Sequence, residues 1–327
     1  MTALDTARET LRPHVLTTSP SSPEAGALAK HLAEAGGESV RAVLFFGSQK
    51  TGAASRDRFS AYDLFVTVGS YAGFYAGLRA AGQLRRPAGL VAWLNTWLAP
   101  NQVAFRGPND AFGKLSVVTE PTLLRETSFL RRDQFCSGRL FQPAECVYAA
   151  DAEAGERALE GVAQAHALTL AWVSPWLPEP FDVSAYTRRI LEVSLAQEIR
   201  PEPAGRAEAL WSAQRGYLQE VYGRLLEAWA ADEELVALGD GLYRLPRPVP
   251  DEVRRNTEAF FRRSKLRATA RWFKYMLTFD DWLEYIRRKA ERHTGRPIEL
   301  TARERRWPLL FLWPRVLGFL RDRDRRS

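Results

Sequence analysis

Cysteine, histidine and long apolar runs are what this 327-residue sequence has least of: two cysteines, four histidines, and no uninterrupted stretch of 18 or more apolar residues. Cys136 and Cys146 lie too close together to lay out a disulfide framework, and no Cys/His group has zinc-ligand spacing. That excludes a disulfide scaffold and a structural zinc, and it fits a reducing compartment. The missing apolar run excludes a transmembrane helix. The opening residues, MTALDTARETLRPHVL, are too polar and too mixed in charge for a secretory signal, so a cytoplasmic protein is expected. His14, His31, His166 and His293 are scattered, and His166 falls on an apolar helical pattern, so packing is the expected role and none is assigned to catalysis.

What is present is a chain rich enough in apolar residues, at 46%, to bury a real core and long enough for two domains. Charge is unevenly placed. Residues 251–327 hold 21 Lys and Arg against 11 Asp and Glu, a net of +10, which leaves the preceding 250 residues at −3 of the overall +7. A basic end on a near-neutral body calls for an anionic partner or a solvated surface.

The pattern predicts a short helix or arm over 1–17, a helix over 24–35 after the Pro/Ser-rich TSPSSPEAG, and a strand over 43–46. A second strand, 64–68, precedes a helix with Tyr71, Phe74, Tyr75 and Leu78 at helical spacing. A helix or turn over 90–98 and strands over 102–105 and 114–119 follow, about four strands in all. One helix is then expected from Pro121 to Leu140. Beyond it come helices over 157–177, 183–199, 204–230, 251–263 and 266–292, with a Gly-Asp-Gly turn at 239–241. The expectation is an α+β fold with a mixed sheet in residues 1–150, a helical domain over 151–245 and a basic amphipathic helical tail over 246–327.

Chemistry concentrates between Ala42 and Val68. A β-rich run ends at Gly47-Ser48, passes through a polar loop and re-enters a strand directly after Asp63. Only a small residue lets backbone N–H groups come close to a phosphate, and a carboxylate is the ligand that Mg²⁺ prefers. The same residues also suit a plain turn between two buried strands with Asp63 as a turn carboxylate. The positions two removed from Asp63 are Ala61 and Phe65, so a paired second carboxylate is lacking; Asp57, Glu120 and Glu126 are the candidates to supply one. Lys50, Lys114 and Arg139 are candidate partners for a triphosphate. Arg200, beside Glu198, suits either such a role or an ion pair that braces the fold.

Read in order, the chain resembles the mitochondrial-type phosphatidate cytidylyltransferases, the translocator-maintenance family, within the nucleotidyltransferase superfold. The resemblance runs from Phe46-Gly47-Ser48 through Asp63-Leu64, Phe112-Gly113-Lys114-Leu115 and Ser137-Gly138-Arg139-Leu140-Phe141-Gln142-Pro143 to Val193-Ser194-Leu195-Ala196-Gln197-Glu198-Ile199-Arg200, with Tyr222 in the helix that follows. It covers roughly 42–229. Gln142 stands where the family has lysine, Gln197 where it has glycine and Glu198 where it has aspartate; residues 230–327 have no counterpart. The resemblance implies a nucleotidyltransferase-like sheet. It further implies CTP as nucleotide, bound by Gly47, Ser48, Lys50, Lys114 and Arg200; Mg²⁺ held by Asp63; and catalysis by Asp63 and Arg139. The implied reaction makes CDP-diacylglycerol, as a phosphatidate oxygen attacks the α-phosphorus and pyrophosphate leaves.

Near the end of the chain, Trp272, Phe273, Met276, Phe279, Leu283 and Ile286 recur near one helical face among Arg and Lys. Farther on, Trp307 to Trp313 form a short apolar cluster bracketed by arginines. Such segments suit an anionic membrane surface, and equally a helical pair folded onto the body; peripheral membrane association is the expectation. No nucleic-acid module is recognisable, and nucleic acid ranks last as a partner. Two other functions fit the same residues: a nucleotidyltransferase of this fold acting on a soluble metabolite, a protein or an RNA end, and a nucleotide or lipid sensor without catalysis.

Overall fold

The computed structural model describes residues 2–52, 61–197 and 205–279, with Arg287, Glu291, Thr301, Arg303 and Glu304 beyond them. Met1–Thr278 form one compact unit, and Phe279–Ser327 are a second.

Two apolar runs start the sheet. Val40–Phe46 (β1) and Tyr62–Val68 (β2) pair antiparallel, and both are almost wholly buried. Asn101–Arg106 (β3) and Phe112–Thr119 (β4) form a second antiparallel pair, and β4 lies parallel to β2. Ala144–Ala149 (β5) closes the other edge against β1. The order is β3-β4-β2-β1-β5, a mixed sheet in an α+β fold.

Helices cover both faces. One face carries Val43, Phe45, Leu64, Val66, Leu115 and Val117, packed by Pro23–Gly36 (α2), Tyr71–Ala80 (α3) and Ala88–Trp97 (α4). Ser22 caps α2, its hydroxyl accepting the Ala25 N–H at 3.2 Å, and Pro23 starts it where a missing N–H costs nothing. The opposite face carries Ala42, Leu44, Phe46, Phe65 and Val118. It is covered by Ala3–Val15 (α1), Glu120–Thr127 (α5), Ser137–Leu140 (α6), Ala152–Ala167 (α7), Thr169–Val173 (α8), Val183–Ala196 (α9) and Arg206–Ala231 (α10). The helices of 152–231 therefore share one core with the sheet. Val236–Gly239 (β6) and Leu242–Arg244 (β7) make a hairpin, and Asp251–Thr278 (α11) follows. Among the described residues no helix is long and apolar enough to cross a membrane.

Several segments differ from the sequence expectation. The helix expected from Pro121 to Leu140 breaks at Ser128, which is extended (φ −97°, ψ −177°), and resumes only as the short α6. Glu126 holds the break open by accepting the Arg132 N–H at 2.8 Å. The helices expected over 251–263 and 266–292 are one helix through Ser264, whose hydroxyl faces a tertiary partner, the Gln134 N–H at 2.9 Å. Residues 280–286, 288–290 and 292 of that expectation, and Trp307 to Trp313, lie outside the described residues.

His166 is packed, as its apolar surroundings predict. Its Nδ1–H donates to Val162 O at 2.9 Å, and Nε2 accepts from the Tyr217 hydroxyl at 2.9 Å. Burial pushes its pKa down to about 4 from an ordinary 6.5. The unfolded chain therefore takes up a proton before the folded one does, and stability present above pH 6.5 is lost as pH falls toward 4. The melting temperature is expected to drop between pH 6.5 and 5, above the range where most carboxylates titrate. A His166→Gln variant is expected to flatten that slope, and an unchanged slope would refute the assignment.

Candidate active site

At the end of β1 the chain turns at Gly47, whose φ is +84°. A side chain there would strain the backbone and would also put its Cβ 2.9 Å from Asp63 Oδ2. The turn is closed by the Thr51 N–H donating to Gly47 O at 3.1 Å and contains Ser48. A Gly47→Ala variant is therefore expected to lower stability by about 1–3 kcal/mol. Chemical denaturation measures it, and no change would mean that the carboxylate is not held against the turn.

Asp63 is the second residue of β2. Its cross-strand neighbours are Phe46 and Lys114, and the Lys114 Nζ lies 3.6 Å from Oδ1. Because side chains alternate, Asp63 shares a face with Phe65, the face covered by the helical half of the chain. Phe65 packs on Phe46 at 5.2 Å between centroids and on Phe135 at 6.0 Å.

Phe135 brings cations to this place. Arg139 Cζ lies 3.9 Å from the Phe135 centroid and Arg271 Cζ 4.9 Å, while Arg139 also donates to Phe135 O at 3.0 Å. Arg271 is 1% exposed and pairs with the buried Asp133, which Arg267 also contacts at 2.8 Å. The Arg271 Nε and Gln134 Nε2 are buried without a partner. Lys274, on the same helix, donates to Leu98 O and to Pro100 O. Burial first, then Arg271 and Arg267, push its pKa down to about 6. Burial likewise lowers Arg131 to about 10. Positive charge crowds around Phe135, balanced chiefly by Asp133.

Asp133, Arg267, Arg271 and Lys274 were not among the residues predicted from sequence. A signal existed: 267, 271 and 274 are spaced four and three apart, one face of a helix. What sequence could not supply was the loop that meets them.

Other expected residues are placed differently. Lys50 is not on Asp63 but on Glu145, a wholly buried carboxylate of β5 that also accepts from Thr17 and Ser21. Burial works to raise the Glu145 pKa, yet Lys50 and Ser21 hold it below the usual value. Glu120 cannot be the second ligand. It follows Thr119, which pairs with Val68, so the length of β2, about 17 Å at 3.3 Å per residue, separates it from Asp63. It sits instead 3.6 Å from Arg41. Glu126 is committed to Arg125 and to the Arg132 N–H. Asp57, Glu198 and Arg200 lie outside the described residues. Among the described residues no group of three Asp, Glu, His or Cys side chains converges.

Segments far apart in sequence do meet. The Ser194 hydroxyl donates to Gly138 O at 3.3 Å, the Tyr222 hydroxyl to Phe141 O at 3.1 Å, and Gln214 Nε2 to Gln142 Oε1 at 3.1 Å. The stretch 137–143 is thus seated on α9 and α10, while Lys114 stands beside Asp63. The chain matches no protein-family model, and comparison with curated proteins finds no match either.

Proposed function

We propose that this protein is a nucleotidyltransferase that moves the cytidylyl group of CTP onto the phosphate of a phospholipid at a membrane surface. The observation that carries the reading is the left-handed Gly47 turn laid against Asp63, with Lys114 on the carboxylate's other side. Such a turn leaves room for phosphate where a side chain would exclude it. The convergence of 112–115, 137–143, Ser194 and Tyr222, the segments that carry the cytidylyltransferase resemblance, supports the same reading.

The residues present fit Mg²⁺ of one kind. Such an ion keeps most of its waters and binds one or two carboxylates together with substrate phosphates, so Asp63 would hold it only in company with the triphosphate. Bound there, it would offset phosphate charge. In the reaction a lipid phosphate oxygen forms a bond to the α-phosphorus and the bond to the β-phosphate oxygen breaks, releasing pyrophosphate. Lys114, 3.6 Å from Asp63, would stabilise the charge that gathers on the phosphates, and Arg139, stacked on Phe135, is the second candidate cation. The membrane arm rests on large apolar side chains left in solvent: Trp93 and Trp97 of α4, Phe129 and Leu130 of the 128–136 loop, and Leu266 of α11.

The test is pyrophosphate release by purified protein given Mg²⁺, CTP and liposomes containing phosphatidic acid. Release that needs all three supports the proposal. Release with a soluble acceptor alone would move the reading off the membrane, and no release under any condition would overturn it.

A further inference from the structure

Two strands away from Asp63, an open pocket of about 400 Å³ lies between the Gly47 turn and α10. Lys50 and Thr51 line it from the turn, Ala144 from β5, His14 from α1, and Gln214 and Tyr217 from α10. Its volume suits a small organic ring system. Asp63 and Ala144 are both direct cross-strand partners of Phe46, so two strand spacings, about 10 Å, separate them at the same end of the sheet. That separation is comparable with the reach of a nucleotide from base to phosphates.

The walls have the chemistry of a base site. Tyr217 is fixed through its hydroxyl to His166 at 2.9 Å, and the His14 ring meets it edge-on at 5.2 Å between centroids. Aromatic walls of this kind take a heteroaromatic ring. Gln214 is 3% exposed; its Nε2 is spent on Gln142, while its Oε1 is buried with no partner. An acceptor left so is costly unless a ligand donates to it. Cytosine and adenine present an exocyclic amino group on their pairing edge, whereas uracil presents a carbonyl oxygen, which Gln214 Oε1 would repel.

We infer that this pocket is the base subsite of the nucleotide and that Gln214 selects a base bearing an exocyclic amino group. The inference rests on the nucleotidyltransferase reading above, and adds to it the residue that chooses the base.

Calorimetric titration of the full chain with CTP, ATP and UTP in Mg²⁺ tests it. An amino-bearing nucleotide is expected to bind at least about tenfold more tightly than UTP, and Gln214→Leu to erase that difference by weakening the amino-bearing nucleotides without weakening UTP. Because Gln214→Leu also removes a contact to Gln142, a second variant guards against misfolding. A Cβ at Gly216, which lines the pocket from α10, meets nothing within 4 Å. Gly216→Leu is expected to keep the fold by circular dichroism and to weaken all three nucleotides at least about tenfold. Equal binding of the three by wild type, or a preference for UTP, overturns the base subsite and leaves the nucleotidyltransferase reading standing. Absence of binding by every triphosphate overturns both.

Discussion

Asp63→Asn is expected to cut pyrophosphate release from CTP by at least about a hundredfold while moving the melting temperature by no more than about 3 °C. The two halves of that expectation come from different features. Asparagine keeps the shape that fits under Gly47 but loses the charge, so an ion bound between this residue and the triphosphate, as proposed, would lose the carboxylate that holds it. Stability changes little because the Lys114 contact, at 3.6 Å and partly exposed on both sides, belongs to the class of ion pairs that contribute less than about 1 kcal/mol. Steady-state rates and thermal melts on the same preparation separate the two effects. Wild-type turnover in the variant would remove Asp63 from the chemistry.

Asp133→Ala is expected to act in the opposite way, on the fold. Asp133 and Arg271 are 5% and 1% exposed, and removing the carboxylate strands a guanidinium in the interior with Arg267 and Lys274 nearby. Breaking a buried pair on one side costs about 3–5 kcal/mol, because the remaining charge keeps its desolvation penalty and loses its compensation. For a unit of this size that is a fall of about 10 °C in melting temperature. Asp133→Leu combined with Arg271→Met is expected to recover part of the loss, since no charge is then left buried. A single variant as stable as the wild type would show that the cations around Phe135 do not depend on Asp133.

The strands of the sheet differed in how well the sequence announced them. β1, β2, β3 and β4 read correctly because each carries β-branched or aromatic residues and sits next to Gly, Pro or Asp turn residues. β5 was missed. Its sequence, AECVYA, has a carboxylate in second place, and an isolated Glu reads as surface. Only the fold shows that Glu145 has four donor groups around it, from Thr17, Ser21 and Lys50. The same kind of blindness hid half of the candidate site. Gly47 and Asp63 are legible because the chemistry of a tight turn and a strand-initial carboxylate is local. The union of Phe135, Arg139 and Arg271 depends on a contact across 132 residues or more, and Ser264 resembled a helix break until its tertiary partner was in view. Gln214 carried no signal: a lone glutamine on a helix becomes informative only once one of its amide atoms is known to be buried and unmatched.

The way α11 is anchored bears on where this chain can be shortened. Its charge composition marks everything after about residue 246 as a basic appendage, and a cut near Asp251 looks harmless on that ground. Such a cut would take away Arg267, Arg271 and Lys274 together, strip both counter-charges from Asp133, and remove Phe261 from the shared core. A version ending at Thr278 keeps every one of them. Loss of liposome binding in the shorter version alone would be a symptom of a damaged interior, whereas loss already at Thr278 would assign membrane affinity to the residues beyond it.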